Sequence, residues 1–330
     1  MMVPTAVTRR GFLKAAAASS FGLAFSGLNT FGADGKKTLA GIFPIMQTPF
    51  TDSDGLDLEA LARQVKFLDR VGVHGMVWPQ LASEYFDLTV EERFKGAEAV
   101  MEAAKGTRPA IVIGVQGPDT EAAVRYARHA DKLGPDAVIA LPPRGVTEPE
   151  RVLAYYRAVG GACSRPLFVQ SIGDMSVDFV LRMAREIPTL RFVKDEAGQT
   201  LPRITEYRAK GADLIHGVFT GAHGRTLLDE LARGSSGTMP ASPFADLYVQ
   251  TWDLWHGGKR SDAIDRFSKV MLMVSQVQAY GMPSLKYLLE LRGVFKNHRC
   301  RSEGAKVVFD DQARRSLRET YEFIRPLLKA

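Results

Sequence analysis

The stretch from residue 166 to residue 198 has the sequence PLFVQSIGDMSVDFVLRMAREIPTLRFVKDEAG. It starts with an apolar run of strand length at residues 167–170 and ends with another at residues 192–194. Between the two runs, apolar side chains recur at helical spacing, at Val177, Val180, Leu181 and Ala184. A strand, an amphipathic helix and a second strand in this order predict a βαβ unit with parallel strands.

The same alternation extends over most of the chain. Eight apolar runs of strand length lie at residues 41–47, 75–78, 110–115, 137–141, 167–170, 192–194, 214–216 and 237–239. Each run is followed by a helical pattern, which after the first run consists of Leu58, Leu61, Val65, Leu68 and Val71. Eight consecutive units of this kind predict a single (β/α)8 TIM barrel of the α/β class.

The domain boundaries follow from the same pattern. We assign the barrel to residues 36–258 and a C-terminal helical region, expected to pack on the barrel, to residues 259–330. An open doubly wound sheet would place a glycine-rich phosphate motif after an early strand. Neither G-x-G-x-x-G nor G-x-x-x-x-G-K-[ST] occurs in the sequence, so the barrel is the favoured architecture.

Two pairs of residues have the spacing of a capping box. Thr89 with Glu92, and Thr147 with Glu150, place a hydroxyl three residues before a carboxylate. In a capping box, the two side chains accept hydrogen bonds from each other's backbone N–H groups at the start of a helix. We therefore expect one helix to begin after Thr89 and another after Thr147.

The N-terminal segment differs from the rest of the chain in charge and composition. Residues 1–33 contain Arg9, Arg10 and Lys14 and no acidic residue, so they hold three of the chain's six surplus positive charges. The uncharged stretch that follows is rich in Ala, Ser, Gly and Phe. Residues 1–35 therefore resemble a twin-arginine export signal, which would place the mature protein in the periplasm. The alternative is an uncleaved membrane anchor, for which the stretch is weakly apolar.

The composition excludes several other classes of protein. The chain has 330 residues, of which 45% are hydrophobic, with 43 Lys and Arg against 37 Asp and Glu. These values exclude a disordered chain, collagen and a coiled coil. The two cysteines, Cys163 and Cys300, are too few for a disulfide framework or a four-thiolate zinc site. Nucleic-acid binding has no supporting motif, and the basic excess is small once the signal is set aside.

Lys194 ends the last strand of the stretch quoted first and is the leading candidate for chemistry. In a TIM barrel, residues at the C-terminal ends of the strands face the active site. Burial there disfavours the ammonium form of a lysine, and the neutral amine can attack a ketone to form a Schiff base. The alternative is a rim lysine that only pairs with Asp195 or Glu196. This strand alone leaves both interpretations open.

Five sequence motifs resemble one known family. The motifs GIFPIMQTPF, DGLD, LTVEER, VKDEAG and GSSGTMP lie at residues 41–50, 54–57, 88–93, 193–198 and 234–240. Their order and spacing, over residues 40–300, are similar to those of the dihydrodipicolinate synthase / N-acetylneuraminate lyase family. The resemblance implies a class I aldolase-type barrel that acts on a 2-keto acid through a Schiff base at Lys194. It also implies a homotetramer as the usual assembly.

Other positions depart from the common pattern of that family. The family's Gly-Thr-Thr-Gly-Glu loop is QLASE at residues 80–84, which keeps Glu84 and loses both hydroxyls. Gln170 replaces the tyrosine that shuttles protons at the end of the fifth strand, and an amide cannot do so near neutral pH. Gln170, a Pro-Pro pair after the fourth strand and a Gly-Thr-Met-Pro run are instead similar to a subgroup resembling 2-keto-3-deoxy-L-arabonate dehydratase.

This subgroup resemblance implies removal of water from a 2-keto-3-deoxy sugar acid, with aldol cleavage as an open alternative. Lys194 condenses with the ketone, and the iminium acidifies C3 so that loss of a proton expels a hydroxyl from C4. Glu84 is the leading acid/base candidate, unless it is a rim carboxylate that only orients Lys194 or a hydroxyl. Gln170, which would position the substrate, completes the catalytic set.

Four further residues are assigned to substrate binding, namely Ser83, Thr48, Arg144 and Gly217. The guanidinium of Arg144 offers a bidentate fork to the substrate carboxylate, and the alternative is a solvent-facing loop arginine. Gly217 begins the glycine-rich turn at residues 217–221, where the family closes its site. We therefore expect all four residues at the C-terminal mouth of the barrel.

We expect neither a metal nor an external cofactor. The six histidines lack H-E-x-x-H or H-x-x-x-H spacing, and a Schiff base on lysine needs no metal. The expected partners are a small 2-keto acid and further copies of the chain, in a dimer or tetramer. Nucleic acid and stable membrane insertion after signal cleavage are not expected. The changes at Leu81, Ala82, Pro143 and Gln170 motivate a second hypothesis, an exported barrel that binds a carboxylate or sugar without turnover.

Overall fold

A computed structural model of the chain describes residues 37–301 and 308–329. Eight parallel strands follow the order β1-β8-β7-β6-β5-β4-β3-β2, and a parallel bridge between Ile45 and Val77 joins the two ends of this sheet. The strands are β1 Gly41–Ile42, β2 Gly75–Trp78, β3 Ala110–Gly114, β4 Ala137–Ala140, β5 Leu167–Ser171, β6 Leu190–Asp195, β7 Gly217–Thr220 and β8 Gly237–Thr238. The predicted (β/α)8 TIM barrel is confirmed.

One helix follows each strand, and two more complete the described chain. The barrel helices are α1 Leu58–Val71, α2 Val90–Ala103, α3 Thr120–Leu133, α4 Pro149–Ala162, α5 Val177–Glu186, α6 Thr200–Lys210, α7 Leu227–Ala232 and α8 Ala245–His256. The C-terminal helices are α9 Arg260–Leu291 and α10 Asp311–Ile324. Helix α9 packs on α8 and α10 packs on α9, so the C-terminal region adds a layer to one side of the barrel.

The period of two along each strand separates the core into two layers. Phe168, Phe192 and Phe219 belong to the cluster that fills the barrel lumen. The ring centroids of Phe168 and Phe192 are 4.7 Å apart, and those of Phe168 and Phe219 are 5.3 Å apart. Their neighbours Val169 and Val193 point outward and pack against the helices. The residues that follow the phenylalanines on the inner face therefore stand above an apolar floor.

The seventh strand lies three residues later than the sequence predicts. We expected residues 214–216, whereas β7 is Gly217–Thr220. After α6, the backbone N–H groups of Leu214 and Ile215 both donate to the carbonyl of Gly211, which makes a turn. Ile215 is buried although it lies in this turn. The apolar pair Leu214 and Ile215 therefore has the sequence pattern of a strand without forming one. The first strand is also shorter than predicted, since β1 ends at Ile42 rather than at residue 47.

One of the two predicted capping boxes is present. The backbone N–H of Glu92 donates to Thr89 Oγ1 at 3.1 Å, and that of Thr89 donates to Glu92 Oε2 at 2.9 Å, at the start of α2. The second prediction is wrong, because α4 begins at Pro149 after an N-cap at Glu148 without a side-chain cap bond. Proline is favoured at the first helical position, where its ring fixes φ and its missing N–H has no partner to lose.

The structure describes no helix within 37–301 and 308–329 that is long and apolar enough to cross a membrane. Helix α9 has 32 residues, but it bends at Gly281, whose φ of 63° lies outside the helical region. The twin-arginine signal predicted for residues 1–35 lies outside the described residues. Its function therefore stays a prediction.

We expect the Phe168→Ala variant to lose about 3–5 kcal/mol of unfolding free energy, because it opens a cavity in the aromatic floor of the lumen. Phe168 is fully buried and contacts two other phenylalanine rings. Phe323→Ala is the matched control, since Phe323 is 63% exposed on α10. Urea unfolding measures both variants. Equal midpoints for the two would contradict the placement of Phe168 in the floor.

Candidate active site

Lys194 stands on the inner face of β6, directly above the aromatic floor. In the parallel ladder it is level with Gln170 of β5 and Phe219 of β7. Its side chain is 5% exposed. The next residue, Asp195, points outward and forms an ion pair with Arg203 at 2.8 Å. Of the two acidic residues that follow Lys194, Asp195 therefore belongs to the layer between barrel and helices.

The second acidic residue, Glu196, is the partner of Lys194. Its Oε2 lies 3.0 Å from Lys194 Nζ, and the same oxygen accepts a short hydrogen bond from Gln170 Nε2. Its Oε1 accepts a hydrogen bond of 3.0 Å from the backbone N–H of Ala222. Lys194, Glu196 and Gln170 therefore form one hydrogen-bonded cluster, to which the loop after β7 contributes a backbone donor.

Glycine at position 221 makes room for this carboxylate. A Cβ atom on Gly221 would lie 1.7 Å from Glu196 Oε1, which is far inside van der Waals contact. Any side chain there would displace Glu196 from the Ala222 N–H. The loop after β7 therefore accommodates the carboxylate in two ways. Gly221 leaves space for Glu196, and the backbone N–H of Ala222 donates a hydrogen bond to it.

The pKa of Glu196 lies below its ordinary value. Burial alone would raise the pKa, but the positive charge of Lys194 and hydrogen bonds from Lys194, Ala222 and Gln170 outweigh it. The resting site therefore contains a carboxylate at neutral pH. The Lys194 ammonium is the main group that keeps it ionised.

His223 lies beside the same cluster. Burial lowers the pKa of His223, and the charges of Arg225 and Lys194 lower it further, against an opposite contribution from Glu196. Its Nδ1 is buried and has no hydrogen-bond partner within the described residues. The residue has a φ of 58°, in the left-handed region. His223 is therefore a neutral imidazole with one ring nitrogen available to a ligand or water.

Glu84 belongs to a different cluster. Its Oε2 forms a short ion pair with Lys286 Nζ, and both side chains are almost fully buried. Its Oε1 accepts a hydrogen bond of 2.8 Å from the backbone N–H of Arg301. Lys286 also donates to the carbonyl of Arg299 at 2.7 Å. The lysine paired with Glu84 is thus Lys286, and the pair holds the backbone on both sides of Cys300.

The segment at residues 297–301 is attached to the loops after β1 and β2. The Arg301 guanidinium forms an ion pair with Glu92 at 2.7 Å, and Asn297 donates to Asp52 at 2.9 Å. Glu84 therefore serves as an anchor for this segment. This environment argues against the prediction that Glu84 is the acid/base beside the Schiff-base lysine.

Ser83 and Thr48 are engaged in bonds between the ends of β1 and β2. Ser83 Oγ donates to the carbonyl of Met46 at 2.5 Å and accepts from the backbone N–H of Gln80 at 3.0 Å. Thr48 Oγ1 donates to the carbonyl of Ser83 at 2.5 Å and accepts from Trp78 Nε1 at 3.1 Å. Both residues lie at the mouth as expected, and their hydroxyls join the two loops.

The remaining two predicted residues lie apart from Lys194. Arg144 is exposed on the rim, with its guanidinium 4.2 Å from the ring centroid of Phe86, in agreement with the solvent-facing alternative. The placement of Gly217 at the mouth is wrong. Gly217 is the first residue of β7 and pairs with Phe192, two residues before Lys194 on β6. The glycine at the mouth end of this strand is Gly221.

Sequence reasoning gave Glu196 no catalytic role, although a signal for one was present. Glu196 follows Lys194 by two residues, and side chains two apart on a strand share a face. The described residues contain no group of three or more His, Cys, Asp or Glu that could hold a metal ion. The chemistry offered by the cluster is that of an amine, a carboxylate and an amide.

Comparison with known sequences identifies the family. The model of the dihydrodipicolinate synthetase family matches residues 38–320. An L-2-keto-3-deoxyarabonate dehydratase of Azospirillum brasilense is 31% identical over 270 residues, which cover 79% of this chain and 87% of that protein. A probable 2-dehydro-3-deoxy-D-pentonate aldolase of Escherichia coli is 25% identical over 274 residues, which cover 78% of this chain and 89% of that protein.

Solved structures agree with this assignment. The dihydrodipicolinate synthase of Rhodopseudomonas palustris superimposes with a TM-score of 0.78 and 25% identity, over 86% of this chain and 97% of that one. The N-acetylneuraminate lyase of Proteus mirabilis has the same fold, with a TM-score of 0.77 and 19% identity, over 87% of this chain and 99% of that one. The chain is therefore a member of the dihydrodipicolinate synthetase family.

Proposed function

We propose that this protein is a Schiff-base-forming lyase that removes water from a 2-keto-3-deoxy sugar acid. The observation that carries the proposal is the cluster of Lys194, Glu196 and Gln170 above the apolar floor of the lumen. The similarity to a dehydratase and to a probable aldolase of deoxy keto sugar acids supports the substrate class. No finding supports the alternative of a barrel that binds without turnover.

The first step is condensation of Lys194 with the ketone at C2. Glu196 Oε2, 3.0 Å from Nζ, accepts a proton from the ammonium and leaves a neutral amine. The amine adds to C2, and the former carbonyl oxygen takes up one proton from the nitrogen and a second proton from Glu196. This oxygen then leaves as water to give an iminium, and Glu196 is a carboxylate again. The lysine itself supplies the electron sink, so the proposal includes no external cofactor.

Glu196 also takes the place of the family tyrosine that Gln170 has replaced. A carboxylate beside the iminium can remove the proton from C3, and the electron pair moves to nitrogen to form an enamine. The enamine expels the C4 hydroxyl, which leaves as water with the proton that Glu196 received. Hydrolysis then releases the product and regenerates Lys194. Gln170 holds the carboxylate and need not carry a proton.

Aldol cleavage is the second candidate reaction. It would use the same iminium but remove the proton of the C4 hydroxyl and break the C3–C4 bond. The two reactions differ in products, since dehydration keeps the carbon chain whole and cleavage gives pyruvate and an aldehyde. The A. brasilense relative, which is named a dehydratase, is the more similar of the two and favours dehydration.

Borohydride reduction in the presence of pyruvate should trap a covalent adduct on Lys194. Peptide mapping by mass spectrometry should locate the adduct on the peptide that contains Lys194 and leave Lys286 unlabelled, because Lys286 is paired with Glu84. The Lys194→Met variant should give no adduct. An adduct on Lys286 would contradict the assignment of the nucleophile to Lys194. No adduct with pyruvate or 2-keto-3-deoxy acids would contradict the covalent mechanism and leave a ligand-binding barrel as the better hypothesis.

The Glu196→Gln variant should lower kcat by about 10²–10⁴-fold, the usual contribution of a general acid/base. Because the pKa of Glu196 lies below its ordinary value of 4.5, the carboxylate persists as the pH falls to that value. The acid limb that Glu196 gives to the profile of kcat/KM against pH, which reports the free enzyme, should lie below about pH 4.5 and disappear in the variant. Steady-state kinetics over pH measures both effects.

Glu84→Gln is the matched control for this experiment. It removes one partner of the buried pair with Lys286 and should cost about 3–5 kcal/mol of unfolding free energy. Its folded fraction should keep the pH profile of the unmodified enzyme. Loss of the acid limb in Glu84→Gln, with its retention in Glu196→Gln, would return the acid/base role to Glu84.

We also propose that residues 1–35 direct export by the twin-arginine pathway. Arg9 and Arg10 are followed by one more charged residue, Lys14, and then by an uncharged stretch at residues 15–33. In a bacterial host, the full chain should appear in the periplasmic fraction without this segment. Changing both arginines to lysine keeps the charge and should retain the protein in the cytoplasm. An uncleaved protein in the membrane fraction would instead support an anchor.

A further inference from the structure

Three glutamine side chains at the mouth of the barrel carry buried polar atoms that have no hydrogen-bond partner within the described residues. These atoms are Gln80 Nε2, Gln116 Oε1 and Gln170 Oε1. All three residues are fully buried, and they follow or end the strands β2, β3 and β5. Buried amide atoms are normally paired, because an unpaired one loses its bond to water without replacement. Such atoms at a mouth point to a ligand.

Gln116 is directed into the lumen. It lies two residues after Gly114, and Gly114 shares the inner face of β3 with Ala110 and Val112. Gln116 Nε2 donates to the carbonyl of Pro79 at 2.9 Å. A Cβ atom on Gly114 would lie 1.7 Å from the Pro79 oxygen and 3.0 Å from Gln116 Nε2, so the amide folds over a glycine on the inner wall.

The amide oxygen of Gln116 is buried and has no hydrogen-bond partner in the described part of the chain. The nitrogen and oxygen of an amide diverge from one carbon, so Oε1 is directed away from the carbonyl that holds Nε2. The next residue after Pro79 is Gln80, whose Oε1 accepts from the backbone N–H of Leu81 at 2.8 Å and whose Nε2 has no partner. A buried acceptor and a buried donor therefore follow two neighbouring strands, β3 and β2.

This pair has the chemistry that recognises an alcohol. A hydroxyl group donates one hydrogen bond and accepts others, so the hydroxyls of a ligand can donate to Gln116 Oε1 and accept from Gln80 Nε2. Both side chains are uncharged, so they suit the hydroxylated part of a ligand rather than a second carboxylate. Hydrogen-bonding sites of this kind discriminate strongly against analogues that lack the hydroxyl, because the buried protein groups then stay unpaired.

The position of Gln116 relative to Lys194 fits a short carbon chain. Strand β3 is three places from β6 in the eight-stranded order, so the two side chains stand on well-separated parts of the barrel wall. A ligand bound to Lys194 through C2 would need to extend across the lumen to reach Gln116. Gln170, which lies beside Lys194, is on the ketone side of the cavity.

We propose that Gln116, together with Gln80, forms a subsite for the hydroxyl groups of the substrate that lie beyond C3. This inference rests on the proposed lyase function and names the residues that would recognise the hydroxyl groups of its sugar-acid substrate. Gln116 is then a specificity-determining residue that binds substrate without taking part in bond breaking. Its loss should penalise hydroxylated ligands and spare pyruvate, which has no atoms beyond C3.

The test is the Gln116→Met variant, which keeps the length of the side chain and removes the amide. The value of kcat/KM for a 2-keto-3-deoxy pentonate or hexonate should fall about tenfold or more. The rate of borohydride trapping with pyruvate should stay within about twofold of the unmodified enzyme, which also shows that the variant is folded. Gln312→Met, at an exposed position on α10, is the control and should change neither value.

A ligand without a ketone separates this inference from the proposed function. Calorimetry with a five- or six-carbon aldonic acid reports hydroxyl binding without any Schiff base, and Gln116→Met should weaken that binding. Equal binding by the variant and the unmodified protein, or an equal loss of pyruvate trapping and sugar-acid turnover, would overturn the subsite. Absence of any adduct in the unmodified protein would overturn only the lyase mechanism.

Discussion

The ion pair between Lys194 and Glu196 is the interaction on which the rest of the site depends. Each charge alone would be unfavourable above the apolar floor formed by Phe168 and its neighbours, and each is stabilised there by the other. In the proposed reaction, the pair also makes the pKa of Glu196 depend on the charge of the lysine nitrogen. When Lys194 loses its charge as a free amine or enamine, the main influence that lowers the pKa of Glu196 disappears and burial, which raises it, remains. In the proposed reaction, the iminium loses its positive charge as the C3 proton moves to Glu196, so burial then favours the neutral carboxylic acid that forms.

The barrel contains a second buried ion pair, and its surroundings give it a different role. Glu84 and Lys286 are enclosed by the segment at residues 297–301, and their outer atoms bind backbone groups of Arg299 and Arg301. A buried pair whose remaining hydrogen-bonding capacity goes to backbone fixes a chain segment in place. The pair at Lys194 instead uses that capacity on the amide of Gln170 and on one backbone N–H. Lys194 and Lys286 thus differ in the surroundings of the carboxylates with which they pair.

Much of this arrangement is predictable from the sequence, and the exceptions have physical reasons. The helical period of apolar residues predicts α1 and α5 because each helix buries one face, and a short apolar run predicts β6 because this strand is buried on both faces. The predicted position of the seventh strand is wrong because Ile215 packs from a turn and resembles a strand residue, and the same error places Gly217 at the wrong end of the barrel. The pairing of Glu84 with Lys286 depends on how α9 returns to the loop after β2, which no local pattern reports. The position of Glu196 beside Lys194 could be predicted, because residues two apart on a strand lie on the same face.

The replacement of a tyrosine by Gln170 connects these observations. An amide cannot shuttle a proton, but it can donate a hydrogen bond to a carboxylate, and Gln170 Nε2 does so to the oxygen of Glu196 that faces Lys194. The substitution therefore has a counterpart two residues after the lysine, where the carboxylate stands. Gly221 completes the exchange, because a side chain at that position would occupy the space of Glu196 Oε1. Under the proposed mechanism, a change of proton carrier from phenol to carboxylate would use Gln170, Glu196 and Gly221 together, on three neighbouring strand ends. The barrel would then have lost the tyrosine and kept a site suited to acid/base chemistry.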